Sequence, residues 1–213
     1  MIRTPVLFKV LAAALPTLGA APALAHHPMG GALPSTAWQG LASGLGHPVI
    51  EVDHLLFLLG AAAVAALTSA APARAGAALI LYAIAASLGT LARVGEISLP
   101  IGGPAVALSL MAVGVCLWLQ RGPSGIAGGL TAAAAGLVHG HAYGEAVIGA
   151  QVAPLAWYLT GLVIVQSVLM IGCFASLRRL GVSAAPGFVT VARSLGAAIG
   201  AAGLTLLWAG AGA

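Results

Sequence analysis

Charge is the scarcest commodity in this sequence: 6% of its 213 residues are Asp, Glu, Lys or Arg, while 61% are hydrophobic. Soluble domains carry about 25% charged residues, so the chain is read as a membrane protein. Lysine is almost missing. Lys9 is the only one, and it lies in the leader described below. Without a lysine the rest of the chain has no G-x-x-x-x-G-K-[ST] loop for nucleotide phosphates, and no polar segment is long enough for a nucleotide-binding domain. Any transport must therefore use a gradient or a partner's energy. Aromatics make up only 5%, against 30 glycines, which excludes a large aromatic core and favours helices packed through small side chains. The long Ala/Leu/Val/Gly runs do not alternate, which excludes an outer-membrane barrel. The two cysteines, Cys116 and Cys173, stand alone in apolar runs and read as small hydrophobes, not as a redox or zinc motif. A net charge of +4, half of it in the leader, gives no sign of nucleic-acid binding.

The apolar runs define an all-α membrane protein, a bundle of six transmembrane helices after a cleavable signal peptide. Residues 1–25 form that peptide: Arg3 and Lys9 supply a positive start, Val10 to Ala21 an apolar stretch, and Ala23-Leu24-Ala25 a small-residue cleavage site. The six-helix transmembrane domain is then 26–213. Breaks at Gly, Pro and Arg place spans near 49–70, 75–94, 101–120, 124–143, 154–177 and 187–210, each long enough for about 30 Å of hydrocarbon. Segment 36–46 is either an interfacial helix or the first turns of span one. Arg74, Arg121, Arg178, Arg179 and Arg193 then share one side, opposite Arg93, for which Glu96 is a candidate partner. The positive-inside rule makes the arginine-rich side cytoplasmic and both termini external, as cleavage of the leader independently requires for the N-terminus.

What little charge remains is concentrated. The four carboxylates are Glu51, Asp53, Glu96 and Glu145, and all but Glu96 lie within four residues of a histidine. Charges within hydrocarbon cost roughly 2.5–3.5 kcal/mol each on insertion scales, so retained groups point to a function. His47, Glu51 and His54 follow i, i+4, i+7 spacing and would share one helical stripe. Pro48 sits in the first turn, and His54 lies about 10 Å deeper than His47 at 1.5 Å per residue. In span four, His141 and Glu145 are i, i+4 neighbours, with His139 pointing elsewhere. The inferred orientation puts both clusters near the outer face. Gly136, Gly140 and Gly144 form a smooth strip by which spans one and four would approach.

Imidazole with carboxylate, and no thiolate, suits Zn, Cu, Fe, Co or Ni. Asp53 is placed to orient a ligating imidazole. A proton relay uses the same residue types. A lone intramembrane histidine is ordinarily a satisfied packing residue, but four histidines and three acids in two clusters read as a site. His26 and His27, freed with the new α-amine, form a second, external capture point. Gly196/Gly200 and Gly125/Gly129 read as packing steps, and Trp38, Trp157, Tyr158 and Trp208 as interfacial belt residues. Packing is also the reading for Gln151, Gln166 and Ser167.

The run His47-Pro48-Val49-Ile50-Glu51-Val52-Asp53-His54 resembles the H-P-x-x-G-x-D-H signature of the HupE/UreJ family, membrane proteins associated with hydrogenase and urease maturation. His139-Gly140-His141, the leader followed by His26, and the six-span layout are similar to that family too. The resemblance covers essentially the whole chain. It implies a nickel or cobalt permease of the bacterial inner membrane, not an enzyme, with no ATPase of its own and no permanently bound cofactor. His47, Asp53 and His54 match the first motif, and His139 and His141 the second. Glu51 replaces the family's glycine, and Tyr143 stands where another histidine is expected; both bear on metal preference.

The combined expectation is transport of Ni2+, or Co2+, through His47, Glu51, Asp53 and His54 with His139, His141 and Glu145, fed by His26 and His27. Partners are the metal ion and the lipid bilayer, with a homo-oligomer compatible, and neither nucleic acid nor nucleotide. The alternatives are a membrane-embedded metalloenzyme, which would retain its metal tightly, and a non-transporting accessory or sensor subunit.

Overall fold

A computed structural model describes residues 32–98 and 102–211. The expected leader, with His26 and His27, lies outside the described residues. The described chain forms seven α-helices: α1 (Ala37–Ile50), α2 (Val52–Thr68), α3 (Pro72–Val94), α4 (Gly102–Leu119), α5 (Gly125–Gly144), α6 (Val152–Arg179) and α7 (Phe188–Ala211), with single 3-10 turns at Glu145–Val147 and Val182–Ala184.

By length and apolarity, α3, α6 and α7 can each cross a membrane, and α1 with α2 make a fourth candidate, bent by 75° where they join. Among the described residues these criteria give three or four spans and do not confirm the expected six. α4 is apolar but shorter, and α5 carries His139 and His141 toward its end.

The break between α1 and α2 replaces the straight first span expected from spacing. Thr36 caps α1, accepting from the Gln39 N–H at 3.2 Å. Pro48 lies in the last turn of α1, not the first turn of a span. Lacking an N–H, it removes a helical hydrogen bond, and the helix ends at Ile50. Glu51 is extended (φ −82°, ψ 106°), and α2 starts at Val52 in a new direction.

Three helix pairs pack backbone to backbone. In α1–α6, a Cβ on Gly44 would strike the Tyr158 carbonyl, and one on Gly161 the Leu41 carbonyl. In α4–α7, Gly114 faces Gly196 and Gly200. In α3–α5, Gly136 lies on the Tyr82 carbonyl, Gly140 on the Ala86 carbonyl and Gly144 on Thr90 and Arg93. The glycine strip of α5 therefore serves α3, not the first span; a smooth face records close packing but not the identity of its partner. Thr90 Oγ1 ties this contact further, its one proton shared between the carbonyls of Ala86 (3.0 Å) and Gly140 (2.9 Å). Among the described residues Gly125 and Gly129 do not form a packing step: Gly125 takes φ +58° at the start of α5 with no neighbour within 4 Å of a Cβ, and a Cβ on Gly129 would meet only Leu81.

α2 runs through the middle. Its Phe57, Leu58, Ala62 and Val64 are buried in one cluster with Leu79 and Tyr82 of α3, Leu110 and Val113 of α4, Met170 and Phe174 of α6 and Ile199 of α7. Arginines close helix ends at one pole. Arg178 Nη1 donates to the carbonyls of Ala66 (3.3 Å) and Ser69 (3.1 Å) beyond α2, and Arg193 Nε to the Trp118 carbonyl (3.3 Å) of α4. Cations suit the carbonyl ends of helices. At the other pole Arg93 and Glu145 join the ends of α3 and α5. Trp38, Trp157 and Trp208 are exposed, whereas Tyr158, expected with them as an interfacial belt residue, is fully buried.

Candidate metal centre

The bend builds the site. His47 ends α1, Glu51 occupies the break, and Asp53 and His54 open α2. Glu51 spans both imidazoles: its Oε1 is 3.1 Å from His47 Nε2 and its Oε2 is 2.9 Å from His54 Nδ1. Asp53 Oδ1 lies 3.1 Å from the same His54 Nδ1 and accepts the His54 backbone N–H at 2.9 Å. The imidazole rings of His47 and His54 are 6.2 Å apart. Two expectations are thereby corrected. The groups do not descend a straight stripe, and His54 is not about 10 Å below His47; the bend folds them into one cluster.

The contacts of 2.9–3.1 Å between these nitrogens and oxygens are of hydrogen-bond length. Ligand atoms of Glu51, Asp53 and His54 all lie within 4.8 Å of one another, the group among the described residues with metal-binding arrangement. Both imidazoles are buried, while the carboxylate side chains keep 21% and 26% exposure.

α5 contributes differently from expectation. His139, expected to point elsewhere, is fully buried with its ring 5.1 Å from that of His54 and 4.2 Å from Phe57. His141 Nε2 lies 3.1 Å from the Ile97 carbonyl. Glu145 makes a paired contact with Arg93, Oε1 to Nε at 2.7 Å and Oε2 to Nη2 at 2.9 Å. This replaces the expected Arg93–Glu96 pair; Glu96 instead takes φ +63° in the turn after α3.

Two tyrosines complete the cluster. The Tyr158 hydroxyl donates to the Tyr143 carbonyl at 3.0 Å and lies 2.8 Å from His47 Nδ1. A hydroxyl has one proton to give, so His47 Nδ1–H must donate to Tyr158. Its Nε2 then faces the Glu51 carboxylate with a lone pair unless a proton or a cation stands there. The Tyr143 ring lies 4.3 Å from His54 and 5.1 Å from His47. Tyr158 was misread as a belt residue because its position near a span end suits both roles; Gly161, three residues on, marks the same face as a close contact. Tyr158→Phe should weaken Co2+ binding by the purified chain about tenfold, the lower end for loss of a group that orients a ligand, with little change in expression, as equilibrium dialysis would show.

The described residues form a helical protein with a bent apolar helix pair that holds two carboxylates and two imidazoles at the bend. The family model described as HupE / UreJ protein matches residues 13–206, and the chain belongs to that family. Membership makes it a multi-pass membrane protein and carries the implication of nickel or cobalt transport. No curated protein and no solved structure matches it.

Proposed function

We propose that this protein is a secondary permease that carries Ni2+, with Co2+ next in preference, across the bacterial inner membrane. The observation that carries this reading is the convergence of Glu51, Asp53 and His54 at the break of an apolar helix pair, with ligand atoms within 4.8 Å of one another. Half-helices meeting at a break commonly frame ion sites in transporters. His47 completes the outer cluster and Tyr158 sets which of its nitrogens faces inward. His141 and Glu145 line the approach at the pole that Arg93 shares, and His26 and His27 concentrate ions outside. The bound metal is cargo, not a resident cofactor.

In this reading six helices span the bilayer, α1 and α2 counting as one. Residues 1–25 are removed, the arginine pole is cytoplasmic and both termini are periplasmic. N-terminal sequencing of the membrane-extracted protein should begin at His26. Inward from the cluster, a cavity of about 540 Å³ reaches from Phe57, Tyr82 and Ser109 to Ser69, Arg74 and Ser124, and supplies the second half of the path.

The direct test is accumulation of radiolabelled nickel, cobalt and zinc by liposomes containing the purified chain and no nucleotide. Uptake above empty liposomes, with nickel or cobalt preferred, is expected. A chain that retains one metal through dialysis yet moves none would instead be a metalloenzyme or a metal-handling accessory protein.

A further inference from the structure

The hydrogen bonds around His54 and His139 leave one imidazole nitrogen of each ring without a partner. His54 Nδ1 faces the carboxylates of Glu51 and Asp53, which can only accept, so the neutral ring carries its proton there. Its Nε2 is buried and unpartnered. His139 Nε2 lies 2.8 Å from Ser109 Oγ, which donates its own proton to the Val106 carbonyl at 2.7 Å. Ser109 must therefore accept from His139 Nε2–H, and His139 Nδ1 is left as a lone pair, also buried and unpartnered. Two buried imidazole nitrogens without a partner are costly unless something occupies them. Imidazoles sharing an ion through bonds of about 2.1 Å have ring centres roughly 4.5–6.5 Å apart, and these two stand at 5.1 Å.

Resting on the permease reading, we propose that His54 Nε2 and His139 Nδ1 form a second ion position, deeper than the carboxylate cluster. Ser109 is the positioning residue that holds His139 in the ligating tautomer. The Tyr143 ring, 4.3 Å from His54, and the Tyr82 ring, 6.0 Å from His139, flank this position. Phe57, Tyr82 and Ser109 separate it from the inner cavity, whose wall they form. The position therefore stands between the outer cluster and the inner half of the path. Its nitrogen ligands without carboxylate suit Ni2+, Co2+ or Zn2+ and reject Mg2+ and Ca2+. A neutral imidazole offers one lone pair, so His54 serves the outer cluster through Nδ1 or the deeper position through Nε2, never both. An ion passes from one to the other, as multi-site conduction requires.

The test compares Ser109→Ala, Ser109→Thr, His139→Gln and Asp53→Asn in liposomes, reading both labelled cobalt uptake and Co2+ binding by equilibrium dialysis. Ser109→Ala and His139→Gln should lower uptake about 10- to 100-fold, the range for groups that orient or complete a metal site, while Co2+ binding at the outer cluster persists. Ser109→Thr, which keeps the hydroxyl, should restore uptake. Elution at the wild-type volume in detergent shows that a variant is folded. Wild-type uptake in folded Ser109→Ala and His139→Gln, with Asp53→Asn inactive, would overturn the deeper position and leave the permease reading standing. Wild-type uptake in Asp53→Asn as well would remove that reading itself.

Discussion

Asp53→Asn should reduce nickel or cobalt uptake by about 100-fold or more while the protein still reaches the membrane. Removing a group that merely orients a ligand costs about 10–100-fold, and Asp53 belongs to the converging set itself. The substitution is nearly isosteric, and the amide oxygen can still accept the His54 backbone N–H now bonded at 2.9 Å, so the start of α2 should survive. What is lost is a negative charge beside a buried imidazole 3.1 Å away. Glu51→Gln should behave similarly, because Glu51 contacts both His47 and His54. Uptake by whole cells, normalised to membrane protein, measures both. Full uptake in either variant would argue that the ion never visits the bend.

Gly140→Ala should be the most damaging small substitution for stability. A Cβ there would overlap the Ala86 carbonyl oxygen, carbon and Cα, and backbone cannot swing aside as a side chain would. Overpacking typically costs about 1–3 kcal/mol, and a rigid backbone clash belongs at the upper end. For a chain of this size that corresponds to a fall of roughly 10 °C in the thermal midpoint. The same separation of α3 from α5 would break the Thr90 bond to the Gly140 carbonyl and displace His139, so uptake should fall with stability. Gly172→Ala is the matched control: nothing lies within 4 Å of a Cβ there, and alanine is the better helix former. Melting in detergent separates the two variants.

Much of the architecture was legible because apolar runs and their breaks are written locally. The segments expected near 75–94, 154–177 and 187–210 coincide with α3, α6 and α7 within a few residues. The bend was not legible. Pro48 is tolerated in a first turn and also weakens a last turn, and only the path of the chain decides between them. The residue types of the site could be read from cost, since acids and imidazoles do not persist in apolar stretches idly. Their partners could not. Whether His139 or His141 turns toward His54 depends on the rotation of α5, which the contact of Gly136 and Gly140 with α3 sets. Spacing within a helix carries no record of that rotation. Tyr143 was visible as a departure from the family pattern, and it lies against both His47 and His54. Ser109 carried no signal at all, being one hydroxyl in an apolar run.

The glycine contacts divide the molecule mechanically. α1 with α6, α3 with α5 and α4 with α7 touch main chain to main chain, and such rigid seams resist sliding. α2 instead meets its neighbours through side chains, down to Gly60 against Val113 and Ile199, and side chains can rotate past one another. The protein thus has three stiff struts around one looser axle, and the axle carries Asp53, His54 and Phe57. On the proposed permease function, tilting of the struts about this axle would expose the ion first to one side and then to the other.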